Sequence, residues 1–346
     1  MRKKETSDID FVLLWVDGED PVWKQEKDKY LSRQKGKQGN GTSDNRFRDW
    51  GLLRYWFRGV ERFAPWVRRI YFITWGHYPL WLNVQSPQLK IINHETFIPE
   101  KFLPTFNSNV IELNLHRIAS LSEKFVLFND DMFLTAPVKE RDFFQGGLPC
   151  ETALMDTPSP DFSENIFPHM MLNNAAIINQ HFSKKEVLKK NGNKFFRLEY
   201  GKGCLRNLLL MPLETFSCFR SEHTPISHLK SDFFRLWEEE KEILTNTGMN
   251  RFRSAEDVTH WLLKDWRLCE GRFVPRKSNW GHCFELGRDD LSQICRAIEK
   301  AKYKEVCLND SGCGEQCMKQ EEFVEIKKIL AKSLETIFPY KSRFEL

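Results

Sequence analysis

This sequence of 346 residues lacks three things, and each absence closes off a class of function. It lacks a charge surplus: Lys plus Arg number 52 and Asp plus Glu 48, for a net charge of +4. A nucleic-acid-binding chain would concentrate a basic excess on one face, so no nucleic-acid partner is expected. It lacks a clean apolar run. The longest uncharged stretch, Ile70 to Leu89, is broken by Gly76, His77, Pro79, Asn83 and Pro87, and reads as strand plus loop. Met1-Arg2-Lys3-Lys4 is basic, but no apolar stretch follows it, which argues against a Sec signal peptide. Finally, it lacks the usual phosphate and nucleophile loops. There is no GXXXXGK[ST], no GXGXXG after the first strand and no GXSXG, which disfavours a classical kinase, a Rossmann dehydrogenase and a serine hydrolase.

What is present describes a globular protein. Hydrophobic residues make up 41% and charged residues 29%. Aromatics reach 13%, with 28 Phe and 11 Trp. Trp15, Trp56, Trp66 and Trp75 are read as core, while Trp261, Trp266 and Trp280 are open to either core packing or stacking on sugar rings. Nine cysteines, an odd number in a long chain, suit reduced thiols in a cytoplasm. Cys307, Cys313 and Cys317 make a CX5CX3C cluster that reads either as plain thiols or as a partial zinc set without a fourth ligand.

The first half alternates strand and helix patterns. Ile9–Val16, Arg69–Trp75, Leu89–Ile92 and Phe125–Phe128 are apolar or β-branched runs, hence strands. Apolar residues recur at helical spacing from Arg46 to Phe63, and Ser108 can cap a helix reaching Ile118. Strands alternating with helices predict parallel βαβ units, an α/β protein with a mainly parallel sheet. Gln34–Ser43, with three glycines and no apolar residue, reads as an exposed loop. Three parts are expected within one catalytic unit spanning 1–346: an α/β core over 8–150, an irregular Asn- and Lys-rich insert over 151–221, and a mainly helical part over 222–346. In the last part, helices are expected at Ser231–Thr245, from a Ser254–Asp257 capping box to Leu268, at Leu291–Ala301 and at Glu321–Leu334. A strand at Glu305–Leu308 is expected to return to the first sheet.

Three strand-like runs end in acidic residues: FVLLWV at Asp17, FVLF at Asn129-Asp130-Asp131, and EVCL at Asn309-Asp310. Ligands of parallel α/β sheets sit beyond the carboxyl ends of the strands. Such carboxylates could hold a hard divalent cation beside a phosphate, or simply be turn formers. Two RXR pairs, Arg46/Arg48 and Arg251/Arg253, precede expected helices and suit a diphosphate as well as they suit solvated ion pairs. His223 stands in a loop stiffened by Pro225. His116 lies four residues after Glu112, on the same expected helix face.

The order of the blocks is what identifies a family. DIDFVLLWVDGEDP (Asp8–Pro21), RFRDWGLLRYWFRGVERFAPWVRRIYFITWG (Arg46–Gly76) with LPTFNSNVIELNLHRIASLSEKFVLFNDDMF (Leu103–Phe133), EHTPISHLKSDFFRLWEEE (Glu222–Glu240) with RFRSAEDV (Arg251–Val258), and KYKEVCLNDS (Lys302–Ser311) together resemble the four blocks of the Stealth polysaccharide phosphotransferases. The resemblance implies a Rossmann-like, glycosyltransferase-A-type core. It implies transfer of a sugar 1-phosphate from a UDP-sugar to a glycan hydroxyl, giving a phosphodiester and UMP in capsule or exopolysaccharide synthesis. The alternative is a metal-dependent glycosyltransferase that releases UDP.

The resemblance assigns catalytic roles to His223, Arg253, Asp131 and Glu112. Substrate contacts fall to Arg46, Arg48, Asn107, His116 and Asp17. Mg²⁺ or Mn²⁺ is assigned to Asp131, Asp310 and Asn309. His223 is the expected general base, with Asp131 its rival. The implied setting is the cytoplasm, with at most a loose attraction to the membrane surface.

Overall fold

The computed structural model describes residues 8–33, 47–160, 165–310 and 319–346. Arg46, Cys313, Cys317 and the expected loop at 34–43 lie outside the described residues.

Period-two alternation explains the centre of the molecule. In β1 (Ile9–Leu14) all six residues are buried, as they must be in a parallel strand covered on both faces. Ile9, Phe11 and Leu13 enter one core, and Val12 and Leu14 enter the other. The helix α1 (Pro21–Leu31) follows, with Asp20 accepting from the Trp23 amide at 2.8 Å and Pro21 at its first position. This Asp-Pro start is a capping signal present in the sequence, although no helix was expected there.

The amphipathic α2 (Leu53–Phe63) lays Trp56, Phe57, Val60 and Phe63 on the Phe11 face. β2 (Ile70–Thr74) and β3 (Leu89–Asn93) extend the sheet on one side of β1, and β4 (Lys124–Asn129) pairs on the other, all in parallel. α3 (Ser108–Leu113) and a short 3-10 turn precede β4. After β4 the chain turns through Asp130 and Asp131 into β5 (Met132–Leu134). Then come α4 (Glu140–Phe143), β6 (Phe144–Gln145), β7 (Leu148–Glu151) and β8 (Met155–Asp156).

The expected irregular insert is helical instead, with α5 (Phe167–His181), α6 (Lys184–Phe195) and α7 (Lys202–Leu210). Its asparagines look like loop formers in sequence, but here they serve neighbouring backbone. Asn207 donates to the Ala153 and Phe195 carbonyls at 2.8 and 2.7 Å, and its Oδ1 accepts from the Met155 amide at 2.7 Å. Asn179 holds both polar groups of the Phe216 backbone, and Asn191 donates to the Cys269 carbonyl. Buried amides satisfied in this way stabilise the folded chain in spite of modest helix propensity.

β9 (Cys218–Phe219) pairs with β8, and β10 (Ile226–Leu229) closes the first sheet antiparallel to β4, in the order β10-β4-β1-β2-β3. The expected helix at 231–245 is two helices, α8 (Lys230–Glu239) and α9 (Lys241–Met249), broken at Glu240. The Ser254–Asp257 box closes a turn and opens no helix, since α10 (Trp261–Glu270) starts later.

β11 (Val274–Pro275), β12 (Gly281–Glu285), α11 (Leu291–Glu299), β13 (Glu305–Asn309) and α12 (Gln320–Ile337) complete the chain. β13 does not return to the first sheet. Both sides of β4 are already taken, by β1 and β10, and β13 joins a second sheet of order β12-β13-β5. Among the described residues no helix is long and apolar enough to cross a membrane.

Candidate active site

The carboxyl ends of β1, β4 and β13 converge on a cleft of about 230 Å³. Its apolar wall includes Trp15, Trp23, Phe47, Trp50 and Phe106, and its polar wall includes Asp49, Asp130, Asp131, Asp310, His223 and Arg253. The tryptophans that line it are not those left open between core packing and sugar stacking: Trp266 is buried, and Trp280 packs edge-on against Phe143.

The acidic wall is built where the two sheets meet. The Leu308 amide donates to the Asp131 carbonyl at 2.8 Å, which fixes the β4–β5 turn against β13. Asp310 follows two residues later. Its Oδ2 accepts from Trp50 Nε1 at 3.2 Å and faces Arg48 Nη1 at 3.4 Å. Burial pushes the Asp310 carboxyl up to about 6, although Arg48 and Trp50 pull against it. Asp130 is pushed up to about 8 by burial and by the neighbouring Asp131 and Asp49. Asp49 is likewise raised, first by burial. Asp131 Oδ1 is buried without a hydrogen-bond partner among the described residues. Crowded carboxylates with one orphan oxygen make a donor set of the kind that a hard dication would fit.

His223 faces this wall from the loop before β10. Its Nε2 is 2.8 Å from Asn129 Nδ2, and its Nδ1 is 3.7 Å from Asp131 Oδ2. Burial disfavours the charged ring, but Asp131 and the Cys283 thiol outweigh it and raise the pKa to about 9. Arg253 completes the wall. One of its Nη2 hydrogens goes to Ser108 Oγ. The same hydroxyl also bonds Glu112, one helical turn further along α3. Glu112 is buried and does not line the cleft. Burial raises it to about 7 against the pull of Arg253, and its imidazole neighbour is His260, at 3.8 Å. Glu112 therefore supports Arg253 from behind.

Four of the remaining expected contacts are placed differently. α3 ends at Leu113, so the Glu112–His116 spacing does not put them on one face. His116 is boxed by Phe233, Phe234 and Trp237, away from the cleft. Asn107 is fully buried. It donates to Asp257 Oδ2 at 2.8 Å and to the Asn250 carbonyl at 3.2 Å, and so staples the turn carrying Arg253 to the start of α3. Asp17 lines an adjoining cavity of about 210 Å³ with Asp20 and His77, which shares Asp49 with the cleft. Asn309 reaches the cleft edge but donates to Glu285 Oε1 at 2.9 Å. Arg48 lines the cleft beside Asp310 and stacks on Phe323. Sequence reasoning missed Asp49 and Ser108 as cleft residues, and it placed Asp130 among the strand-end carboxylates without assigning it a role. The doubled aspartate of NDD was a usable signal for Asp130, since two adjacent carboxylates after a buried strand exceed what a turn needs.

The placement of His116 has a measurable consequence. Burial lowers its pKa to about 3 from an ordinary 6.5. The unfolded chain therefore binds a proton below pH 6.5 that the folded chain refuses, and stability falls as pH drops from 7 to 5. His116→Gln is expected to recover up to about 2 kcal/mol of that loss in urea unfolding at the two pH values. An unchanged pH slope would show that the ring is not held neutral.

Known proteins are similar along the whole chain. Models of Stealth conserved region 1 and conserved region 2 match residues 7–35 and 46–150. A capsular polysaccharide phosphotransferase, WcwK of Streptococcus pneumoniae, is 42% identical over 342 residues, covering 99% of both chains. The exopolysaccharide phosphotransferase cps2G of Lactiplantibacillus plantarum is 39% identical over 98% of this chain and 96% of its own. Among solved structures, the galactosyltransferase LgtC, determined with donor and acceptor sugar analogs, aligns over 92% of this chain and 95% of its own at 10% identity and TM-score 0.38. That overlap is too loose to carry anything about the site.

Proposed function

The chain belongs to the Stealth family of polysaccharide phosphotransferases, and from that premise we propose that it transfers a sugar 1-phosphate from a UDP-sugar to a hydroxyl of a growing capsular or exopolysaccharide. The observation that carries this reading is the meeting of His223, Arg253, Asp131 and Asp310 around one cleft from four distant stretches of sequence. A cytoplasmic location, with loose attraction to the membrane surface, is part of the same reading.

In the reaction the acceptor oxygen forms a bond to the β-phosphorus, the bond from that phosphorus to the bridging oxygen breaks, and UMP leaves with the bridging oxygen. The acceptor proton passes to His223. Arg253 places guanidinium hydrogens on the transferring phosphoryl oxygens, its direction set by Ser108 and Glu112 behind it. The aromatic wall excludes water and gives the nucleotide and sugar apolar surface. Asn107 and Asp257 hold the Arg253 turn in register with α3.

The cleft fits a hard dication. Asp131 and Asp310 would hold it, with Asp130 as neighbour, and it would supply charge neutralisation for the phosphates.

The test is incubation with a panel of UDP-sugars, a glycan acceptor and Mg²⁺, followed by phosphorus NMR and nucleotide analysis. A phosphodiester resonance with UMP is expected, and EDTA should abolish turnover until Mg²⁺ or Mn²⁺ is restored. Release of UDP would instead identify an ordinary glycosyl transfer.

A further inference from the structure

The flank of the cleft carries a different chemistry. β12 and β13 run parallel, with Cys283 directly opposite Cys307. Paired residues of neighbouring strands project from the same face of a sheet, and here that face looks toward His223. One ligating atom from each of His223, Cys283 and Cys307 lies within 4.8 Å of the other two. Cys307 Sγ is 3.6 Å from His223 Nδ1 and 3.3 Å from Asp131 Oδ2, and His223 Nδ1 is 3.7 Å from that same oxygen. Four donors bonded at about 2.0–2.3 Å in a tetrahedron stand roughly 3.3–3.8 Å from one another. Three edges of such a tetrahedron are therefore already formed.

A second observation points the same way. Both carboxyl oxygens of Glu305 are fully buried, lack a hydrogen-bond partner among the described residues, and lie within electrostatic reach of Cys283 and Asp131. A buried acid left without a donor is costly. Burial, with Cys283 and Asp131 nearby, holds the Glu305 carboxyl well above the usual carboxylate range, and a cation beside the two thiols and the imidazole would relieve it.

We propose that His223, Cys283 and Cys307, with the Asp131 carboxylate beside Cys307 and His223, form a binding site for a thiophilic divalent cation such as Zn²⁺. Binding replaces the two thiol protons and the extra proton of the His223 imidazolium, which all pass to solvent, and no electrons move. Two sulfurs and a nitrogen select a soft ion, whereas the all-oxygen pair Asp131 and Asp310 selects a hard one. Asp131 borders both sites, so two bound cations would repel and the sites compete. Occupation of the thiophilic site also takes His223 out of the reaction, a consequence that rests on the function proposed above. Cys313 and Cys317, the neighbours of Cys307 in the CX5CX3C spacing, lie outside the described residues; among the described residues the fold sets Cys283 and His223 beside Cys307.

The probe is Cd²⁺, added to chelator-treated full-length protein while the ultraviolet thiolate-to-cadmium band is followed. One equivalent per chain is expected. Cys283→Ser should weaken binding by ~10–100-fold or more. Cys283→His, which replaces one donor by another, should keep one equivalent bound with a smaller band, so that loss in the serine variant is not mistaken for misfolding. Cys295→Ser and a Cys313→Ser/Cys317→Ser double variant should bind like the parent. Absence of the band, or a band lost in the double variant but kept in Cys283→Ser, would overturn the site. Zn²⁺ is expected to suppress Mg²⁺-supported UMP release. Tight Zn²⁺ binding without such suppression would uphold the site and overturn the placement of His223 in the reaction.

Discussion

Replacing His223 by alanine is expected to lower the rate of UMP release by ~10²–10⁴-fold, the usual loss when a positioned base is removed. The ring lies between Asn129 and Asp131, and the Asp131 charge holds it protonated up to about pH 9 against the opposing effect of burial. It acts as a base where that charge is balanced, as a dication held by Asp131 and Asp310 would balance it. The rival base, Asp131, is separated by a second measurement. Asp131→Asn should lose turnover and also demand far more Mg²⁺, because its unpartnered oxygen is removed from the dication set. His223→Ala should lose turnover with its Mg²⁺ requirement nearly unchanged. If His223→Ala kept near-normal turnover, the base would have to be sought among the carboxylates.

The second large effect is expected at Arg253. An arginine that neutralises a transferring phosphoryl group is worth ~10³–10⁵ in rate, and Arg253→Ala should fall in that range. Arg253→Lys should recover little. The guanidinium spends one hydrogen on Ser108 while others face the cleft, and an ammonium cannot reproduce that fork. The readout that excludes a merely structural role is the distribution of the loss between constants. A phosphoryl contact made only in the transition state lowers kcat, whereas collapse of the turn would raise KM and lower the thermal midpoint as well. A variant with unchanged kcat would remove Arg253 from the chemistry.

Much of this architecture was legible in the sequence, for physical reasons that can be named. β1, β2, β4 and β13 are short, mostly apolar runs, and burial on both faces leaves no other reading for them. α2 was equally legible, because its apolar residues repeat at helical spacing and Pro65 follows its end. The helices of the middle segment were not. Their stability comes from Asn179, Asn191 and Asn207 bonding backbone far away in sequence, and no local pattern encodes such partners.

The destination of β13 was hidden for a related reason. Which strand neighbours β4 depends on β10, a four-residue strand with no distinct signature of its own. At the site, the strand-end aspartates and the loop histidine could be picked out, but their grouping could not. Asp17 turned into the adjoining cavity and Asn107 turned inward, because a local hydrogen bond competes for each side chain. Asp17 accepts from the Glu19 amide, and Asn107 caps α3. The four-residue spacing from Glu112 misleads for His116, since it presumes an unbroken helix and α3 stops short of it.

One consequence of the two-sheet construction concerns how the cleft divides its work. Asp131 enters β5 and Asp310 leaves β13, and these strands are paired to each other. The two carboxylates are thus spaced by one strand pair. Arg253 and His223 are anchored elsewhere, on α3 and on the first sheet at β10. The β5–β13 pairing and the backbone bond from Leu308 to Asp131 fix the spacing between the cation-holding carboxylates, while the groups that meet the phosphoryl group approach from α3 and β10. Holding the ion and gripping the donor thus fall to different secondary-structure elements of a single cleft.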